Sequence, residues 1–155
     1  MPLTLKILYS PGADTEMPMP KYETSGSSGA DLRANFPERI RNHGKILMPS
    51  CRALIPVGLM MEIPEGHEVQ IRPRSGLAIK NGVTILNSPG TIDCDYRGEI
   101  AVMLFNSGID QFKISHGDRI AQMVVANVVQ ARFEISTDLA ETGRGATGFG
   151  STGID

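Results

Sequence analysis

Turn-forming residues divide this chain into short segments, and this division restricts its fold more than any other feature. The sequence contains 17 glycines and 10 prolines among 155 residues. They occur at points such as Pro64-Glu65-Gly66, Pro89-Gly90 and His116-Gly117-Asp118, with only short apolar runs between them. Such runs are typical of β-strands and leave little room for long helices. We therefore predict an all-β fold, either a sandwich or a jelly roll.

Five segments have the composition of strands, and one has that of a helix. The strand-like segments are Leu3–Tyr9, Ala53–Met61, Glu68–Arg72, Ile100–Asn106 and Ile120–Val129. The last is apolar almost throughout, so we expect it at the centre of the sandwich or against another subunit. The expected short helix is Ser75–Asn81, which begins with a serine cap and ends before Gly82.

Size and charge exclude several classes of protein. At 155 residues the chain is long enough for one domain, and its net charge of −2 argues against general binding to nucleic acid or to membrane surfaces. No apolar run is long enough to span a bilayer, and the first residues lack the layout of a signal peptide. We therefore expect a cytoplasmic protein without a nucleic-acid or membrane partner.

The metal-binding residue types are few and scattered. Cys51 and Cys94 are too isolated for a disulfide framework or a cysteine-type zinc site. His43, His67 and His116 form no pair with metal-ligand spacing. We assign no role to these histidines from the sequence.

The C-terminal segment from Gly143 to Gly153 combines mobility with phosphate chemistry. It contains glycines, hydroxyl residues, one guanidinium from Arg144 and one large apolar group, Phe149. Such a segment cannot repay its own ordering entropy, but it suits a phosphorylated ligand with an aromatic face. A frayed tail is the alternative. Its G-x-G-x-x-G pattern lacks the following helix of a dinucleotide site.

Arg72-Pro73-Arg74-Ser75-Gly76-Leu77 has the composition of an anion-binding turn. A strand ends there, and a guanidinium, a hydroxyl and backbone N–H groups meet at the start of the short helix. An ordinary capped helix with solvated arginines would use the same residues, so both interpretations stay open.

The densest acidic segment lies near the middle of the chain. Asp93, Asp95 and Glu99 occupy odd positions, so in an extended chain they share one face with Arg97, and Tyr96 points to the other. A carboxylate beside a bound phosphate could orient water as a general base. A salt-bridged hairpin is the alternative.

Two further polar positions lie beside strand-like segments. Asp31 follows Gly29 in a turn, where it could meet Mg²⁺ or form an Asx turn. Arg119 and Gln122 lie at the entrance of the last strand, where an ordinary polar edge is the alternative.

Taken in order, these segments closely resemble the five signature motifs of the dUTP pyrophosphatase (dUTPase) family. The matching segments cover almost the whole chain and are Ser28-Gly29-Ala30-Asp31-Leu32, Pro73-Arg74-Ser75-Gly76-Leu77-Ala78, Asn87–Glu99, Gly117-Asp118-Arg119-Ile120-Ala121-Gln122 and Arg144-Gly145-Ala146-Thr147-Gly148-Phe149-Gly150-Ser151-Thr152-Gly153.

The resemblance implies a distorted jelly roll of the dUTPase-like β-clip type, with one short helix. The domain would cover residues 1–136, and a flexible glycine-rich arm, residues 137–155, would close over an active site. The family is homotrimeric, with each site shared between subunits. It hydrolyses dUTP to dUMP and pyrophosphate with Mg²⁺, which keeps uracil out of DNA and supplies dUMP for dTMP synthesis.

The same resemblance implies roles for individual residues. Asp93 would be the general base that holds a water for in-line attack on the α-phosphorus, and Asp31 would meet Mg²⁺ through a coordinated water. Tyr96 would pack on the deoxyribose and exclude a 2′-hydroxyl, and Phe149 would stack on uracil. The other implied substrate-binding residues are Asn87, Gly90, Thr91, Ile92 and Ala101 at the uracil edge, and Arg74, Ser75, Gly76, Gln122, Arg144, Gly150, Ser151 and Thr152 at the phosphates.

Two other functions would use similar residues. The dCTP deaminases share the fold and attack cytosine with a glutamate-activated water, a role that Glu99 could take. A nucleotide-sensing module would keep the pocket without its base, and the presence of Asp93 argues against it.

Overall fold

The computed structural model describes residues 3–148, which contain eleven β-strands and two short helices joined by turns and loops. The strands are β1 (Lys6–Tyr9), β2 (Ala30–Arg33), β3 (Lys45–Leu47), β4 (Arg52–Pro56), β5 (Leu59–Glu62), β6 (His67–Arg72), β7 (Val83–Ile85), β8 (Gly90–Ile92), β9 (Ala101–Asn106), β10 (Phe112–Ile114) and β11 (Arg119–Asn127). The helices are α1 (Glu38–Arg41) and α2 (Ser75–Asn81).

The strands pair antiparallel in four small sheets. The largest has the order β2-β11-β6-β8, a second has the order β4-β9-β7, and β1-β5 and β10-β3 are two-stranded. The fold is therefore all-β and jelly-roll-like, as predicted. β11 is paired on both sides, with β2 and β6. This central place explains the apolar sequence that begins at Ile120.

The core lies between the sheets and is filled by alternate residues of each strand. In β9, Val102 and Leu104 point inward, and Leu104 is only 1 % exposed. Truncating such a side chain to alanine would cost about 2–5 kcal/mol. The largest fully buried side chains are Phe36, Leu32, Leu47, Ile55, Ile100, Leu104, Ile114 and Ile120.

One predicted strand is in fact two. The run Ala53–Met61 is divided into β4 and β5 at Gly58, where φ is +68°. A Cβ at Gly58 would lie 2.6 Å from the side-chain nitrogen of Asn35, so only glycine allows the chain to turn there. The bounds of β1, β6, β9 and β11 lie within three residues of the predictions.

The bounds of α2 are confirmed, and Gly82 ends it with a left-handed φ of +67°. The prediction of a serine cap is wrong, because Arg74 is the N-cap residue, makes no side-chain cap bond, and is followed by Ser75 as the first helical residue. The prediction of a single helix is also wrong, since a second helix, α1, follows Pro37, an N-cap residue with an extended backbone (φ −62°, ψ 152°). Neither helix of residues 3–148 is long and apolar enough to cross a membrane.

Candidate active site

Asp31 on β2 is the centre of a charged cluster. Arg119 Nη1 donates to Asp31 Oδ2 at 3.0 Å, and Gln122 Nε2 donates to Oδ1 at 3.3 Å. Arg74 Nε lies 3.4 Å from Oδ1, and its Nη1 donates to the Arg119 carbonyl at 2.8 Å. Only 8 % of the Asp31 side chain is exposed. We call these four residues the Asp31 cluster; its carboxylate is bound by other elements rather than by an Asx turn.

Sheet register and one glycine explain why the cluster forms. Gln122 of β11 is paired with Asp31 of β2 on one side and with Arg72 of β6 on the other. Arg74 comes two residues after Arg72, which places it near the same carboxylate. A Cβ on Gly29 would lie 3.2 Å from Gln122 Cβ, so glycine lets the turn before β2 lie against that side chain.

The start of α2 lies beside this cluster. Ser75 and Gly76 are exposed there, and the first helical hydrogen bonds run from the Leu77 and Ala78 N–H groups to the Arg74 carbonyl. The N–H groups of Ser75 and Gly76 are therefore not used by the helix itself.

A small pocket lies where β8 faces β9 and β7. Its volume is about 190 Å³, and buried apolar side chains such as Ile71 and Val102 form part of its wall. We call it the base pocket. It brings together the five residues predicted to bind the uracil edge, which are Asn87, Gly90, Thr91, Ile92 and Ala101. A Cβ on Gly90 would lie 3.3 Å from Asn87 Nδ2, so the absence of a side chain at Gly90 leaves space for the Asn87 amide in the pocket.

Asp93 comes directly after β8 and begins a tight turn. The turn is closed by a hydrogen bond from the Tyr96 N–H to the Asp93 carbonyl at 3.1 Å. Asp93 is exposed and opens, with Cys94 and Asp95, to a hollow of about 500 Å³ that also touches His67. Within residues 3–148 no side chain donates a hydrogen bond to the Asp93 carboxylate.

The turn overturns one expectation about side-chain direction. An extended segment would have placed Asp93, Asp95 and Glu99 on one face with Arg97. Instead Arg97 Nη1 donates to the carbonyls of Cys94 and Tyr96, at 2.6 and 2.9 Å, and pairs with no carboxylate in the described part of the chain. The salt-bridged hairpin is therefore wrong as well.

Asp31 and the base-pocket strand β8 lie at opposite edges of one sheet. Asp31 is on the edge strand β2, and Gly90–Ile92 form the other edge strand, with β11 and β6 between them. Three strand spacings separate them by about 14 Å. Among residues 3–148, no side-chain hydrogen bond or ion pair joins the Asp31 cluster to the base pocket or to Asp93.

A polar cluster that the sequence did not indicate holds the loop before Arg119. His116 Nδ1 accepts from the Phe36 N–H at 3.1 Å, and His116 Nε2 lies 3.1 Å from Asp14 Oδ2. The Asp14 N–H donates to Asn35 Oδ1 at 2.9 Å. No spacing in the sequence connects these residues, because Asp14 and His116 meet only in the folded sheet.

The pKa of Asp14 is held below its ordinary value. The main cause is the hydrogen bond from the Glu16 N–H, followed by the one from His116. Arg41 Nη1, 3.7 Å from Asp14 Oδ2, acts in the same direction.

Beyond Val128 the described chain makes only local hydrogen bonds. Arg144 is exposed, and its Nε donates to the Thr147 carbonyl at 2.9 Å. Large apolar side chains of this segment are also exposed, including Phe133 and Ile135. The predicted arm residues Phe149, Gly150, Ser151 and Thr152 lie outside the described residues.

The described residues fit a magnesium ion only through a bridging water and not as direct ligands. Over residues 3–148, no three histidine, cysteine or acidic side chains are placed so that they could hold a metal ion. The Asp31 carboxylate has about four acceptor positions; Arg119 and Gln122 donate to two of them, and Arg74 lies at ion-pair distance. The carboxylate can accept one further hydrogen bond, for example from a metal-bound water.

A charged cluster suited to anions and a narrow pocket suited to a planar base, carried on a jelly roll, define a nucleotide-binding protein. The dUTPase family model matches residues 15–153 of the chain. A deoxyuridine 5'-triphosphate nucleotidohydrolase of Roseobacter denitrificans is 59% identical over 154 residues, covering 99% of this chain and 98% of that protein. One of Treponema denticola is 58% identical over 136 residues, covering 88% and 91%.

The solved structures agree on the fold. Staphylococcus bacteriophage 80alpha dUTPase with dUPNHPP has a TM-score of 0.84 at 22% identity, covering 97% of this chain and 99% of that chain. A D95N mutant dUTPase from phage phi11 of S. aureus, described with a structural Mg(II) ion, has a TM-score of 0.75 at 20% identity, covering 89% and 99%. With the family model and the relatives, the conclusion is direct: the chain belongs to the dUTPase family.

Proposed function

We propose that this chain hydrolyses dUTP to dUMP and pyrophosphate. The observation that carries the proposal is the base pocket, which gathers the five residues predicted to bind the uracil edge, just before the turn that begins at Asp93. Family membership supports the same reaction, since the relatives are named for it. A cytoplasmic location stays a prediction.

The base pocket supports selection of uracil. Its lining includes the Asn87 side chain and the main chain of Gly90–Ile92, whose order of donors and acceptors is fixed by the strand and would face the edge of the base. A base with the opposite order would leave buried polar groups unpaired, which is costly.

Asp93 supports the role of general base. Its carboxylate is exposed and accepts no side-chain hydrogen bond within residues 3–148, so it is free to accept a proton from water. The oxygen of that water would attack the α-phosphorus in line with the bond to pyrophosphate, which leaves as that bond breaks. Tyr96, three residues later, would pack against the deoxyribose.

The Asp31 cluster supports binding of the triphosphate. Asp31 orients the Arg74 guanidinium and the Gln122 amide, and the exposed Ser75 and Gly76 add a hydroxyl and an N–H group beside them. Mg²⁺ bound to the triphosphate would neutralise its charge and draw its direct ligands from phosphate oxygens. Asp31 would then accept a hydrogen bond from a metal-bound water.

The separation of the two groups supports sites shared between subunits of a homotrimer. Asp31 and the base-pocket strand β8 lie at opposite edges of one sheet and no bond joins the two groups, which supports a nucleotide site completed by a second copy. Phe133 and Ile135 alternate with polar residues and are about 94 % and 102 % exposed, as a strand without its partner would be. The arm, residues 137–155, would extend from there to a neighbouring site and supply Arg144, Phe149, Gly150, Ser151 and Thr152.

Mixed assemblies test this sharing. Asp93→Asn and Arg74→Ala should each be inactive alone, because each lacks one half of every site. Subunits of the two variants, unfolded and refolded together, should recover activity, since some sites then receive both intact halves. A mixture as inactive as its components would contradict shared sites.

One assay separates the candidate reactions. Pyrophosphate release is measured on dUTP, UTP, dTTP and dCTP in parallel, and ammonia release is measured on dCTP. We expect pyrophosphate from dUTP alone. Ammonia from dCTP would identify a deaminase, although Glu99 Oε1 already accepts a hydrogen bond from Ser10 Oγ at 2.9 Å. Tight binding of dUTP without turnover would identify a sensing module.

A further inference from the structure

Gly98 lies directly against the aromatic ring of Tyr96. A Cβ built on Gly98 would lie 2.6 Å from Tyr96 Cζ and 3.0 Å from Cε2, and closer still to the hydroxyl oxygen. Real Cβ atoms essentially never approach heavy atoms within 3.0 Å. The ring therefore occupies the space that any side chain at position 98 would need.

The backbone at Gly98 does not itself require glycine. Its φ lies outside the left-handed region, in contrast to Gly58 or Gly82, so an alanine could adopt the same conformation. The contact with the Tyr96 ring is the remaining reason for glycine at this position.

The ring is also held by the next residue. Tyr96 Oη donates to the Glu99 carbonyl at 3.0 Å, and the Glu99 side chain accepts a hydrogen bond from the buried Ser10. The following N–H, from Ile100, donates to the Leu59 carbonyl at 2.8 Å. The main chain of residues 98–100 is thus fixed on β5, and the ring takes its position from that main chain.

We propose that Gly98 is a specificity-determining position that sets the sugar selectivity of the site through the Tyr96 ring. The proposal rests on the proposed function, in which this ring packs on the deoxyribose and leaves no space for a 2′-hydroxyl. Tyr96 is 44 % exposed, so a methyl group at position 98 drives the ring outward into solvent. The displaced ring no longer fills the space beside the sugar, and a ribonucleotide gains entry.

The first test compares Gly98→Ala with a matched glycine variant. Gly26 has no heavy atom within 4 Å of its Cβ position and no left-handed φ, so Gly26→Ala is the control. For Gly98→Ala we expect the ratio of kcat/KM for dUTP over UTP to fall by about tenfold or more, with a higher KM for dUTP. For Gly26→Ala we expect the ratio of the unchanged protein. An unchanged ratio in Gly98→Ala would overturn the proposal.

The second test is a double-mutant cycle that needs no catalysis. Gly98→Ala should lower Tm when Tyr96 is present and have little effect in the Tyr96→Ala background, because the ring is then absent. An equal loss of Tm in both backgrounds would show that the backbone needs glycine and would overturn the proposal. Since Tm is measured without substrate or turnover, failure of the proposed hydrolysis and failure of this inference remain distinguishable.

Discussion

The two halves of the candidate site are held together in different ways. The Asp31 cluster is a buried carboxylate bound by charged and amide side chains from β11 and from the turn before α2. The turn from Asp93 to Gly98 is held by bonds to its own main chain, and Asp93 itself is exposed. Substituting Asp31 should therefore cost stability in the first half, whereas substituting the exposed Asp93 should cost chemistry without stability in the second.

The largest expected effect tests the second half. Asp93→Asn should lower kcat by about 10²–10⁴, because it removes the group that accepts the proton of water. Binding of dUTP and the free energy of unfolding should stay nearly unchanged, since the carboxylate has no side-chain partner in residues 3–148. Stopped-assay rates, calorimetric titration with a non-hydrolysable analogue and urea unfolding measure the three quantities.

Asp95→Asn is the matched control, because Asp95 is an exposed carboxylate in the same turn. It should keep close to the full rate. Near-normal turnover in Asp93→Asn would remove Asp93 from the chemistry, and an equal loss in both variants would point to charge in the turn rather than to one base.

The next effect concerns the arm, which belongs to neither half in its own subunit. Deleting residues 144–155 should lower kcat/KM for dUTP by about 10²–10³, because the residues proposed to hold the γ-phosphate and to stack on uracil are lost. Folding and assembly into the proposed trimer should persist, since described residues beyond Val128 make only local hydrogen bonds. Light scattering checks assembly and thermal unfolding checks stability. An unchanged kcat/KM would show that the arm takes no part in hydrolysis.

The first half should respond in stability as well as in activity. Asp31→Asn leaves the Arg74 and Arg119 guanidinium groups without their carboxylate, although both reach solvent, with 26 % and 42 % exposed. We expect the free energy of unfolding in urea to fall by about 1–3 kcal/mol and KM for dUTP to rise. If Asp31→Asn unfolds at the same urea concentration as Asp93→Asn, the contrast between the two halves does not hold.

The sequence predicted local features well and tertiary charge partners poorly. The all-β class and the bounds of α2 follow from residues adjacent in the chain, such as Gly82, whose backbone freedom ends the helix. The break at Gly58 was missed because its cause is the side chain of Asn35, which is distant in sequence. The serine cap was wrong because Ser75 lies one residue inside the helix.

The site shows the same division. From the sequence, Asp31, Arg119 and Gln122 were candidate site residues in two separate segments. Only the register of β2 against β11 shows that they form one cluster. The predicted direction of the Arg97 side chain was wrong, because side chains alternate between two faces in strands, whereas residues 93–98 form a turn. His116 received no role, since its partner Asp14 lies 102 positions away.

The smallest expected effect concerns that pair, which supports the loop before Arg119 and hence the first half of the site. The pKa of Asp14 is lowered by the Glu16 N–H and by His116, so the folded carboxyl group binds its proton less readily than the unfolded one. This stabilisation is complete above the ordinary value of 3.8 and is lost as the pH falls through the lower folded pKa. His116 and Arg41 are the charged or titratable groups that face the carboxylate.

We therefore expect Asp14→Asn to have a lower Tm than the unchanged protein at pH 7, and the difference to shrink as the pH falls below 3.8. Asp95→Asn is again the control and should show little difference at either pH. The measurement is Tm by circular dichroism from pH 7 to the acid limit of folding. A difference that stays constant over this range would mean that the Asp14 side chain acts through the geometry of its hydrogen bonds with the Glu16 N–H and His116 rather than through its charge. The loop before Arg119 would then be held without electrostatics, and the first half of the site would resemble the second more closely than the structure indicates.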